Sequence, residues 1–149
     1  MNKISLLFIL SVLITFSAYA QDDIKITHAP YLQNLGENEV TIVWTANKPS
    51  IGWVELAPDD GTHYYQTERP KFFNAKNGIK LTSTVHSVHL TGLKPGTRYR
   101  YRVYSQEVLS HVGWRVIYGN VAATSVYGKQ PLTFLTSDHS RQSVNFAMV

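Results

Sequence analysis

"LTGLKPGTRYRYRVYS" (residues 90–105) decides the fold class. Its second half runs on as "TRYRYRVYSQEV" (97–108), the cleanest two-residue alternation in the chain. Thr97, Tyr99, Tyr101 and Val103 lie on one face of such a strand, and Arg98, Arg100, Arg102 and Tyr104 on the other. "KPG" (94–96) turns the chain just ahead of it.

The same grammar extends in both directions. Upstream, "TSTVHSVHLTGL" (82–93) reads as a strand. "ITHAPYLQNL" (26–35) is an extended segment interrupted by Pro30, as suits an edge strand. "EVTIVWTA" (39–46) sets Val40, Ile42 and Trp44 against Thr41, Val43 and Thr45. "NKPS" is expected to turn the chain into a further strand, "IGWVELA" (51–57). "PDDG" (58–61) is a strong turn signal, so "THYYQTE" (62–68) is expected to return as its hairpin partner. "RPKFFNAKNGIKL" (69–81) reads as loop with a short strand. Downstream, residues 109–130 are longer than a hairpin connection needs and are expected to form an extra arm, before "PLTFLTS" (131–137) closes the series. About seven short strands, with no helical pattern of useful length, predict an all-β sandwich.

Composition agrees. Of 149 residues, 44% are hydrophobic and 16% charged, which suits a folded domain. The chain has no cysteine, so disulfides, thiol nucleophiles and cysteine metal sites are excluded. "MNKISLLFILSVLITFSAYA" (1–20) has a basic start, an apolar run and an A-x-A end. It predicts a secretory signal peptide cleaved after Ala20, hence export to the periplasm or beyond. Its apolar run is too short for a bilayer span, and no membrane anchor is expected after cleavage. Residues 21–68 hold eight acids against Lys25 and Lys48, a net charge of −6. Residues 69–149 hold eleven Lys/Arg against Glu107 and Asp138, a net of +9. The expected outcome is that the halves fold together and interleave their charges, and no nucleic-acid partner is expected.

Residues 90–105 resemble the E–F corner of a fibronectin type III sandwich. There Leu93 would plug the core, Pro95 and Gly96 turn the chain, and Tyr99 form a tyrosine corner, its ring packed and its hydroxyl bonded to backbone upstream. "VTIVWTA" resembles strand B, with Trp44 as core filler. Taken in order, "APYLQN", "VTIVWTA", "WVELAP", "STVHSVHLTGLKPGTRYRYRV" and "FLT" resemble the N-terminal domain of purple acid phosphatases and related calcineurin-like metallophosphoesterases. The resemblance implies a sandwich over 21–138 with an extended F–G connection, then a linker and the first strand of a catalytic domain at 139–149 ("SVNFAMV", 143–149). The dinuclear metal site would lie in that absent domain, which would also be the module's packing partner. His86 falls where the family places a packing histidine.

The residues themselves offer no chemistry. The family's ligand motifs are missing: Gly119-Asn120 is followed by Val121, and Asp138 and His139 are adjacent. His86 and His89, three apart on a strand, face opposite ways and cannot share a metal. No catalytic, cofactor or metal residue is expected in this chain. Two features could carry binding. One is the outward ladder Arg98, Arg100 and Arg102, expected to cover the sheet with Trp53 by stacking and with Glu55 by charge. The other is the aromatic set Tyr64, Tyr65, Phe72, Phe73, Trp114, Tyr118 and Tyr127 in or beside the two long connections, expected either at an interface or as core filling. The competing expectation is a stand-alone exported domain binding glycan or protein.

Overall fold

The computed structural model describes residues 22–124 and 129–140. The expected signal peptide, the "SVNFAMV" strand and part of the long connection (125–128) lie outside the described residues.

Nine strands and no helix are present among the described residues: β1 (Ile26–Gln33), β2 (Val40–Pro58), β3 (Lys71–Phe73), β4 (Ala75–Lys76), β5 (Ile79–Lys80), β6 (Thr82–Leu90), β7 (Arg98–Val112), β8 (Arg115–Ala123) and β9 (Leu132–Leu135). All but β4 and β5 join one curled antiparallel sheet of seven strands. The first half of β2 pairs with β1 and β6, and the second half with β3 and β7. β8 and β9 share the far edge of β7.

The curl makes a sandwich because the inner faces of both halves fill one core. Val40, Ile42 and Trp44 from the first half meet Val54, Leu56, Tyr101 and Val103 from the second. Val88, Leu90, Leu93 and Phe134 complete it. The alternation of "VTIVWTA" and of "TRYRYRV" thus describes two walls of a single interior.

Three expectations need correcting. "NKPS" does not end a strand; β2 runs on through it. Thr45 stands opposite Val85 and Ser50 opposite Ser83, so three extra residues on β2 bulge out there. A bulge bends a strand without ending it, and here it carries β2 from one layer to the other. Second, "THYYQTE" is not the hairpin partner of "IGWVELA". Trp53–Glu55 pair with β3, Lys71–Phe73. The Arg69 guanidinium instead folds residues 63–69 onto themselves, its Nε donating to the Tyr64 carbonyl and its Nη2 to that of His63. Third, residues 75–80 form a small hairpin, β4–β5. Its connection is Asn77-Gly78, with φ of 51° and 78°. Two successive positive φ values are what a two-residue type I′ turn requires, and Asn-Gly supplies them best.

Candidate functional site

The arginine ladder is not an outward-facing surface. Arg98 remains largely exposed, 3.9 Å from Asp59, but Arg100 is only 7% and Arg102 only 3% exposed. Both lie opposite the core, beneath the loop that follows β2. Arg100 donates to the carbonyls of Pro58 and Thr62 and, at 2.9 Å, to the Asp60 carboxylate. Arg102 donates to the carbonyls of Thr124 (3.0 Å) and Lys129 (2.8 Å). Tyr64 closes the arrangement from above. Its ring centroid lies 5.4–5.8 Å from the guanidinium carbons of Arg69, Arg100 and Arg102, and its hydroxyl donates to the Glu55 carbonyl at 2.9 Å. Burial, then the nearby Glu55 charge, raises the Tyr64 phenol above its ordinary range.

Trp53 and Glu55 find other partners than the expected stacking guanidinium and charge pair. The Trp53 ring stacks on Tyr104 at 5.1 Å and 4°. The Tyr104 hydroxyl donates to the Glu55 carboxylate at 2.7 Å, which leaves Tyr65 as the donor in the 3.0 Å bond to Tyr104. Burial and these two bonds raise the Tyr104 phenol strongly. An open cavity of about 630 Å³ borders this cluster, lined in part by His63, Tyr64, Tyr65, Arg100 and Lys129.

A second polar cluster fixes the bend of β2. His86 is fully buried, opposite Trp44 in register and 5.1 Å from its ring. Asn74 Nδ2 lies 3.4 Å from His86 Nδ1, His86 Nε2 lies 2.9 Å from the Ser50 hydroxyl, and Ser50 donates to the Ser83 carbonyl at 3.3 Å. One arrangement satisfies all three: Asn74 donates to Nδ1, the Nε2–H donates to Ser50, and Ser50 donates onward. That arrangement needs a neutral ring, and burial pulls its pKa down to about 4. Gly52 is required here, because a Cβ would come within 2.4 Å of the His86 ring and 2.8 Å of Trp44. The Trp44 indole N–H donates to Ser105 at 3.0 Å. His89, three residues on, is exposed and 3.3 Å from Glu39.

At the E–F corner, Leu93 is buried and Pro95 exposed. Tyr99 packs its ring against Phe134 at 5.5 Å and accepts from the Lys94 N–H at 3.0 Å. The chain that leaves this corner is pinned. Gly96 N–H donates to the Ser137 carbonyl, Ser137 N–H to the Gly36 carbonyl (both 3.0 Å), and His139 N–H to the Glu37 carboxylate at 2.7 Å. The charge halves do meet, through Arg100 with Asp60 and Lys48 with Glu107.

The aromatic set divides. Phe72 packs against the core, and Phe73 lies between Trp53 (5.8 Å) and the Lys80 ammonium (3.8 Å). Trp114 and Tyr118 sit on the β7–β8 ribbon and face solvent, Trp114 completely. Among the described residues, no three His, Asp or Glu side chains lie close enough to hold a metal ion. Asn120 donates to Asp23, and Asp138 lies against the Gly96 turn. A dinuclear centre does not fit these described residues.

Residues 28–118 match the family described as Purple acid Phosphatase, N-terminal domain. The chain belongs to that family. No curated protein matches it in sequence. Among solved structures, a β-sandwich protein from a computer-based redesign is similar at 18% identity, with a TM-score of 0.44, over 77% of this chain and 96% of that one. The purple acid phosphatase N-terminal family accounts for most of the sandwich; its match ends inside the ribbon at Tyr118.

Proposed function

We propose that this chain is the non-catalytic N-terminal module of an exported metallophosphoesterase, and that it packs on and positions a catalytic domain downstream. The observation that carries the reading is the family match over residues 28–118. The pinned exit supports the positioning role. Thr136 to His139 are tied to the 94–97 turn and to Gly36 and Glu37, so a following domain departs in a set direction and not from a loose tether.

The test is to read the coding sequence beyond Val149. An open frame reaching Asp-x-His within a few codons, in a longer protein that binds metal and hydrolyses an aryl phosphate, is the expected result. The present chain alone should be inert in the same assay. A stop codon directly after Val149, or hydrolysis by this chain that survives repurification, overturns the reading.

A further inference from the structure

Beyond Glu107, β7 leaves the body of the sandwich and pairs only with β8. The resulting ribbon, Val108–Val112 against Arg115–Tyr118, projects about 17 Å at strand spacing. It turns on Gly113, φ 57°, the first of two central residues, as a type II′ hairpin requires. At its apex Trp114 is 104% and Val112 74% exposed, and Leu109, Ile117 and Tyr118 are exposed behind them. Isolated apolar side chains on a surface are ordinary; five on one thin ribbon are not.

We propose that this tip docks on an anionic lipid surface, with Val112 and Trp114 seated at the boundary between headgroups and acyl chains. Three observations favour that occupant. First, residues 108–124 carry Arg115 and His111 and no acid. The nearest carboxylates stay at the ribbon's root, Glu107 held by Lys48 and Asp23 by Asn120. An apolar apex with a tryptophan and an adjacent arginine matches an interface whose headgroups are negative. Second, the like charge on two such ribbons opposes tip-to-tip pairing of two copies. Third, the last described residues, 136–140, lie at the Gly36 and Gly96 turns, by the start of β7. The apex lies at the far end of that 15-residue strand, about 50 Å away at strand spacing. The tip therefore points away from where a following domain departs.

Tryptophan fluorescence tests this directly, because Trp44 and Trp53 are buried and only Trp114 meets solvent. The full chain is mixed with vesicles of phosphatidylcholine alone, or of phosphatidylcholine and phosphatidylglycerol, each with and without brominated acyl chains. The apolar 4–16 run is common to every variant and holds no tryptophan, so comparison between variants removes its effect. With phosphatidylglycerol, Trp114 emission should shift to the blue and be quenched by bromine. Arg115→Gln should weaken that response about fivefold. Val112→Ser should weaken it further, with thermal melts unchanged for both. Emission indifferent to all vesicles overturns the proposal. So does an equal response to neutral vesicles that ignores Arg115→Gln. A blue shift without lipid overturns it too: if it grows with concentration the occupant is a second copy, and if it appears only in the longer protein the occupant is the following domain.

Discussion

The base of β7 and the tip of the β7–β8 ribbon hold similar residue types and use them in opposite ways. At the base, Arg100 and Arg102 are enclosed and Tyr104 is half-buried, and their polar groups bond to neighbouring loops and strands, while Tyr101 packs in the core. At the tip, Arg115, Trp114 and Tyr118 stand in solvent. The difference comes from what covers the strand. β2 and β9, together with the loops after β2 and β8, lie over the base, whereas only β8 accompanies the tip. Side-chain type alone does not mark a binding residue. The same arginine is a structural clamp under a loop and an available cation on a ribbon.

Four measurements would break or sharpen that contrast. The largest effect is expected from pH, through the buried interior. Folded His86 stays neutral down to about pH 4, whereas in the unfolded chain it titrates near 6.5. Between those values the unfolded chain binds the extra proton, so stability is complete above pH 6.5 and falls as pH drops toward 4. The loss attributable to this group approaches about 3 kcal/mol. Urea midpoints measured at pH 7.5 and 4.5 should separate for the parent and converge for His86→Gln; equal slopes would remove the neutral-ring account. Next is Arg100→Ala, which removes four hydrogen bonds to the 58–62 loop. It should cost about 2–3 kcal/mol by the scale of charged hydrogen bonds, and speed proteolysis near Gly61. A loop that stays protected would show that the clamp is ornamental. Tyr99→Phe keeps the ring and loses the acceptor for Lys94, at about 1 kcal/mol in denaturant melts. Trp114→Ser should lie within about 0.5 kcal/mol of the parent. A larger loss would mean that the tip is packed against something after all.

Much of this contrast was readable in the sequence, and the unread part has physical causes. The alternations at 40–45 and 97–104 name the core because strand periodicity is local and needs no partner to be seen. The β7–β8 arm was legible from excess length and apolar content. What alternation cannot show is which outer faces another segment will cover. That is why the arginine ladder reads as open surface, and why Trp53 reads as the partner of a guanidinium when its stacking partner is Tyr104. "NKPS" misleads because Asn, Pro and Ser suit a bulge as well as a turn, and the choice depends on β6 lying alongside. The β4–β5 hairpin is different: Asn77-Gly78 is a strong local signal, and it was there to be used. Strand alternation turns one of His86 and His89 inward, and the resemblance singles out His86. Its bonds to Ser50 and Asn74 join positions 36 and 12 residues away.

Arg100 and Arg102 grip mainly main-chain oxygens, those of Pro58, Thr62, Thr124 and Lys129. Every amino acid provides such an oxygen. Outside Asp60 and Thr62, whose side chains Arg100 also holds, the grip is therefore indifferent to side-chain identity, and exposed positions such as His63 and Lys129 can drift or be randomised while the scaffold keeps its shape. For a protein engineer, that makes the outer face of β7 a ready frame for displaying two adjoining variable loops.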